Sequence, residues 1–290
     1  MATIEVFGNG LFGTNDSSTN DAQLAQLQAS AFNSVILWSV HVAANGDLTY
    51  NDTPLVTGGT FNPDLSYMAS YVAALREQGE VWWGVGSWGA SDFSNLGALL
   101  STATGTATVT DTFRTLFAAL PADGVDFDME ESYDADMQNT IIDFTLLLTR
   151  SLNVGVTYCP YMDEPFWLNC LAGVYAANNQ QQVVRRLNLQ CYAGGAGNTT
   201  TSWLTRMTAF SKPLGIQSIE SFLVPSNWVQ SDDGTQKFTP AQTCTFFSQS
   251  DIRENAGGGF LWNTSEIFAS GYTAAEYAQA IVDGLANQCS

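Results

Sequence analysis

The sequence predicts an α/β protein, a single (β/α)8 TIM barrel with no inserted α+β lobe. Three observations lead there. A short apolar run followed by a helical run recurs eight times, which is the pattern of parallel βαβ units. The connections are short and no shift in composition marks a boundary, so residues 1–290 read as one domain. The chain has 290 residues, 45% of them hydrophobic. That suits one barrel of roughly 250 residues, and eight units close such a barrel.

Each element has its own signal. Residues 4–7 are short and apolar, and Gly8-Asn9-Gly10 turns the chain. Residues 21–32 carry Leu24, Leu27 and Phe32 near helical spacing. Residues 34–42 read as a buried second strand around Val35-Ile36-Leu37-Trp38. Asn45-Gly46 then turns into a polar loop with Pro54 and Gly58-Gly59. Residues 64–78 form a helix with Met68, Val72 and Leu75 on one side and Gly79 as its stop. Residues 81–86 are the third strand, and Ser87-Trp88-Gly89 turns away from its end. Helical stretches at 93–100 and 111–120 follow, and Pro121 ends the second. The fourth strand, residues 123–130, leads to a long helix at 134–150. Residues 153–158 are strand five and 164–177 its helix. Residues 187–192 are strand six, followed by Ala193-Gly194-Gly195-Ala196-Gly197 and a helix at 200–210. Strand seven is expected at 214–219, then a loop carrying Phe222, Pro225 and Trp228, and a helix at 240–250. Residues 258–262 are strand eight, and 274–286 the last helix.

Composition removes several function classes. The net charge is −19 with only nine Lys plus Arg, which disfavours nucleic acid and anionic membrane surfaces as partners. No apolar run approaches the ~20 residues of a membrane span. A neutral polymer such as a sugar chain remains compatible, and a monomer is expected. Of five cysteines, the pairs Cys159–Cys170 and Cys244–Cys289 are candidate disulfides if the protein is exported, and an odd count leaves at least one thiol over. There is no CxxC spacing, and the sole histidine, His41, sits on an apolar run where core packing is expected. No metal or cofactor is implied. Met1 leads directly into the first strand, so the chain is expected to be either secreted with its signal removed or cytoplasmic. Four sequons (Asn15, Asn51, Asn198, Asn263) matter only in a secretory pathway.

Strand four carries the chemistry. Alternation puts Val125, Phe127 and Met129 on one face and Asp126, Asp128 and Glu130 on the other. Asp is depleted in strands, and burying several carboxylates together is costly. Mutual repulsion raises the pKa of at least one of them. A protonated acid beside an ionised one is what glycosidic bond cleavage needs. A calcium loop would instead place its oxygens on Gly- and Asn-rich turns, whereas the spacers here are large and apolar. In a parallel barrel the site lies at the C-terminal strand ends. Those ends bring Trp88, Tyr158, Gln190, Tyr192, Trp262 and Asn263 to the same mouth, with Trp228 as a further exposed aromatic. Aromatic rings suit the apolar faces of sugars, and polar groups suit their hydroxyls.

Asp123-Gly124-Val125-Asp126-Phe127-Asp128-Met129-Glu130 resembles the Asp-Gly-x-Asp-x-Asp-x-Glu signature of glycoside hydrolase family 18, the chitinases and endo-β-N-acetylglucosaminidases. The resemblance implies that the motif is the fourth strand of a (β/α)8 barrel. It further implies that Glu130 is the general acid and that Asp128 orients the substrate's own N-acetyl group as nucleophile, with retention of configuration. Asp126 is then the acid that couples to Asp128, Tyr192 holds the acetamide oxygen, Trp262 floors the −1 sugar, and Gln190 matches the Gln before that Tyr. Asp123 falls on the other face and is expected to be structural. The implied substrate is a chitin oligomer or the diacetylchitobiose core of an N-glycan. Two departures stand out. Strand three ends Gly84-Val85-Gly86-Ser87 rather than Ser-x-Gly-Gly, and Ala193 follows Tyr192 where many chitinases have Asp or Asn. The Gly-rich loop after Tyr192 leans the reading slightly to the endo-β-N-acetylglucosaminidase branch. A non-catalytic lectin or storage protein of the same fold is the alternative. A metal-dependent barrel enzyme is disfavoured by the near absence of His.

Overall fold

The computed structural model describes residues 1–194, 197–231, 234 and 236–289. Eight parallel strands close on themselves: β1 (Thr3–Asn9), β2 (Ser34–Val42), β6 (Glu80–Val85), β7 (Gly124–Phe127), β8 (Gly155–Tyr158), β9 (Val184–Leu189), β10 (Leu223–Trp228) and β11 (Gly258–Trp262). β1 pairs with both β2 and β11, and that second pairing is the seam that makes the sheet a barrel. The connection from Trp228 to the helix starting at Pro240 is too short for an inserted lobe. The architecture is the expected (β/α)8 barrel.

The helices begin where the sequence offers oxygen acceptors. Asp16, Thr102, Asp134 and Asp163 each cap the backbone of the helix that follows, and Thr239 and Thr273 form capping boxes with Gln242 and Glu276. The larger core lies between strands and helices. There Phe127 stacks on Phe144 at 5.0 Å and meets Tyr158 at 5.3 Å. A smaller apolar cluster (Phe7, Ile36, Trp82, Cys159, Val224, Phe260) fills the barrel itself. Trp82 fits because Gly124 and Gly155 face it. A Cβ on Gly124 would sit 2.7 Å from its ring and 2.0 Å from the Gly155 carbonyl oxygen. The motif glycine thus has a packing reason.

Several expectations need correcting. Residues 214–219 are not strand seven. That strand is Leu223–Trp228, and Pro225, which lacks the N–H a strand normally donates, hid it. The polar stretch after β2 is an antiparallel excursion of β3 (Leu48–Tyr50), β4 (Thr53–Thr57) and β5 (Thr60–Phe61). Strand six starts earlier than expected, at Val184, and an additional short helix, Thr264–Ala269, follows β11. Cys244 and Cys289 form a disulfide, while Cys159 and Cys170 are free and buried.

His41 is not a core histidine. Its Nδ1 lies 2.9 Å from Asp92 Oδ2 and its Nε2 2.9 Å from Ser39 Oγ. The bond to Asp92 raises its pKa. Asp92 Oδ1 also accepts from the Val42 N–H at 2.6 Å, so the series ties the end of β2 to the helix Asp92–Leu100 that follows β6. The order serine, histidine, aspartate imitates a nucleophile triad, but Ser39 is 5% exposed, and we read the series as a brace.

Candidate active site

Strand parity builds the site. On β7 and its extension, Val125, Phe127 and Met129 face the helices and are fully buried. Asp126 and Asp128 point into the barrel, at 0% and 2% exposure, and Glu130 follows at the mouth, half-buried. The chain is held there by the third barrel strand: the Asp128 N–H donates to the Val85 carbonyl at 2.9 Å. Gly86, at φ +106°, passes so close that a Cβ would lie 2.2 Å from the Asp128 carbonyl oxygen.

Each acid has named partners. Asp126 Oδ1 accepts from Thr157 Oγ1 and, at 2.8 Å, from Asn188 Nδ2. Asp128 Oδ2 accepts from the Trp38 indole N–H at 2.9 Å, and its Oδ1 from Gln190 Nε2 at 2.8 Å. The same Gln190 amide lies 3.1 Å from Glu130 Oε1 and so bridges the two upper acids. Burial, and then the charge of Glu5, push Asp126 up to about 7. Burial, then Glu130 and Asp126, raise Asp128 well above the usual carboxylate range. The row thus holds at least one proton near neutral pH.

Above the acids opens a cavity of about 470 Å³. Of the expected site residues, Asp128, Glu130, Gln190, Tyr192, Trp262 and Trp88 line it. Trp88 is 82% exposed, a large apolar surface at the edge of the cavity. Trp262 meets Trp38 edge-on at 4.7 Å, so two indoles meet at the cavity wall. Tyr192 stacks on Trp228 at 5.4 Å. Trp228 supports that ring and is not itself part of the cavity lining. Asp126 lies deeper, beneath Asp128. Ala193 is on the lining, and Gly195 and Ala196 of the Gly-rich loop lie outside the described residues.

Besides Trp228, two expected substrate contacts are placed elsewhere. Tyr158 is fully buried against Phe127 and Trp167, with its hydroxyl 2.7 Å from Thr145 Oγ1. Register explains it: Thr157 pairs with Asp126, so Tyr158 must share the outer face of Phe127. Asn263 is 3% exposed and caps the helix Thr264–Ala269, accepting from the Glu266 N–H and from Ser265 Oγ. Asp123 is structural as expected, accepting from the Val81 N–H and bonding Arg76.

Sequence reasoning missed Trp38, Thr157 and Asn188 as parts of the site, while Tyr161, which follows strand five to the mouth, lines the cavity. Trp38 stands in the middle of strand two, and alternation with Ile36, which faces the barrel interior, was the signal available for it. Asn188 was legible from the alternation Arg186, Asn188, Gln190, which repeats the spacing of Asp126, Asp128, Glu130.

No protein-family profile and no curated protein sequence matches the chain. Solved structures do. A family 18 chitinase from Pseudoalteromonas aurantia superposes with a TM-score of 0.67 at 16% identity, covering 97% of this chain and 99% of the other. A fungal endo-β-N-acetylglucosaminidase of family 18 gives 0.64 at 15% identity, with 97% and 96% covered. A family 18 chitinase mutant from Cycas revoluta in complex with (GlcNAc)4 gives 0.67 at 10% identity, with 98% and 99% covered. From end to end, this chain has the fold of glycoside hydrolase family 18.

Proposed function

We propose that the chain is a retaining glycoside hydrolase that cleaves β-1,4 bonds at N-acetylglucosamine by substrate-assisted catalysis. The observation that carries this reading is the acid row itself. Asp128 and Glu130 meet the floor of an aromatic-lined cavity and share one donor, Gln190, while Asp126 sits buried beneath them. In this reading Glu130 protonates the leaving glycosidic oxygen. Asp128, steadied by Trp38 and Gln190, orients the acetamide whose oxygen attacks the anomeric carbon. Water then opens the cyclic intermediate with Glu130 as base, which retains configuration. Tyr192 holds the acetamide oxygen and Trp262 supports the sugar face. Trp88 offers a further stacking surface at the rim.

The substrate is a chitin oligomer or the chitobiose core of an N-glycan. Ala193 on the cavity lining favours the endo-β-N-acetylglucosaminidase branch, because it offers no polar side chain to the sugar. The test is product release by wild type and Glu130→Gln on a chitin oligomer and on a high-mannose glycoprotein. Wild type is expected to cut at least one, and Glu130→Gln neither, while both proteins bind sugar. Cleavage of the oligomer alone makes it a chitinase. Cleavage of the glycoprotein alone makes it a deglycosylating enzyme. Equal sugar binding without cleavage by either protein replaces the enzyme reading with a lectin.

A further inference from the structure

Below the acids lies a charged couple that the proposed chemistry does not yet use. Arg186, on β9, is buried inside the barrel. Its Nη2 bonds Glu5 and lies 2.9 Å from Ser34 Oγ, and its Nη1 is 2.6 Å from Glu80 Oε2. Its guanidinium carbon lies 4.9 Å from the centre of the Trp82 ring. Such a buried cation needs a reason, because desolvation costs more than most ion pairs return. Its Nε points the other way, 3.3 Å from Asn188 Oδ1. Asn188 in turn donates its Nδ2 to Asp126.

Resting on the hydrolase reading above, we propose that the buried Arg186–Glu5 pair is a positioning device for Asp126, acting through Asn188. The amide of Asn188 is nearly symmetric in shape, so something must decide which end faces the carboxylate. Arg186 has only donors, so it takes the amide oxygen and leaves the N–H₂ for Asp126. The pair also sets the charge beneath the row. Arg186 favours the ionised form of Asp126, and Glu5 opposes it.

The charged and titratable groups around Asp126 are few. They are Glu5 on β1, Glu80 on β6, Asp128 and Glu130 just past the end of its own strand, Cys159 past β8, and Arg186 on β9, with Arg185 beside it bonded to Glu80. His41 of β2 is bonded to Asp92 and Ser39, and β10 and β11 carry no titratable side chain. Single charge changes in this set therefore have predictable signs.

The experiment is the pH profile of kcat/KM for Arg186→Gln, Glu5→Gln and the double variant. Removing the cation is expected to move the acidic limb up by about half a pH unit, and removing the anion to move it down by a similar amount. The double variant should return near wild type. A purely structural role would lower the rate without moving the limb. Acidic limbs that coincide with wild type in folded single variants overturn the proposal. If Arg186→Gln does not fold, Glu5→Gln alone decides by the same criterion. If wild type cleaves neither substrate, the hydrolase reading falls by itself. The inference is then decided by a carboxyl-carbon NMR titration of Asp126, assigned with Asp126→Asn. Opposite displacements in the two variants support it, and coincident curves overturn it.

Discussion

The two faces of β7 are equally buried and do opposite things. Outward, Val125, Phe127 and Met129 are fully buried among apolar side chains. Each such side chain contributes roughly 1.5–3 kcal/mol to folding. Inward, Asp126 and Asp128 are as dry, yet their burial is unfavourable unless each keeps a proton or a full set of donors. One face holds the strand in place and the other is held in place by it. The stability of the outer face is what makes the cost of the inner face tolerable.

That contrast predicts a separation of activity from stability. The largest effect belongs to Asp128→Asn. It removes the carboxylate proposed to orient the acetamide and is expected to lower kcat about 10²–10³-fold, with a cooperative melt retained. A near-wild-type kcat would remove the substrate-assisted mechanism. Phe127→Ala, one residue away on the outer face, is expected to cost about 3–5 kcal/mol by denaturant unfolding. Folded protein below the midpoint should keep its KM. A change in KM larger than the change in folded fraction would break the comparison.

A subtler effect comes from pH. The pKa of Asp126 is raised in the fold to about 7, so the native state binds a proton that the unfolded chain releases near pH 4. Its contribution is present below the unfolded value and is lost as pH rises from about 4 towards 7. Asp126→Asn should remove that slope. An amide can keep its oxygen on Thr157 and Asn188 while its N–H₂ takes the place of Oδ2, which has no hydrogen-bond partner among the described residues. Thermal unfolding across this window is expected to flatten in the variant, and parallel curves would refute the assignment. The smallest effect is Tyr158→Phe. It should cost about 1 kcal/mol through the lost contact with Thr145, with KM unchanged, because Tyr158 faces the helices.

Much of this contrast was legible in the sequence, because carboxylates at every second position of an apolar strand have few explanations. The barrel was legible too, since its eight units repeat the same signal. What escaped did so for physical reasons. Tyr158 ends a strand at the mouth, but its position there says nothing about parity, and only the pairing of Thr157 with Asp126 turns it outward. Asn263 begins an Asn-x-x-Glu cap, a local hydrogen-bonding pattern that competes with any role in the cleft. Strand seven was masked by Pro225, and which acid Trp38 and Asn188 donate to appears only once strands distant in sequence stand side by side.

The seam between β1 and β11 has a consequence for how the chain gains its activity. The acids stand on β7 and just past it, made well before β11, whereas Trp262 stands on β11, within the 45-residue span closed by Cys244–Cys289. During synthesis the acid row therefore exists long before the part of the aromatic wall that Trp262 supplies. A chain stopped short of β11 would carry every proposed proton-transfer group and lack the indole that meets Trp38 edge-on. On the proposed reading, turnover would report that β1 and β11 have met, because the seam that closes the barrel also seats Trp262 over the acids.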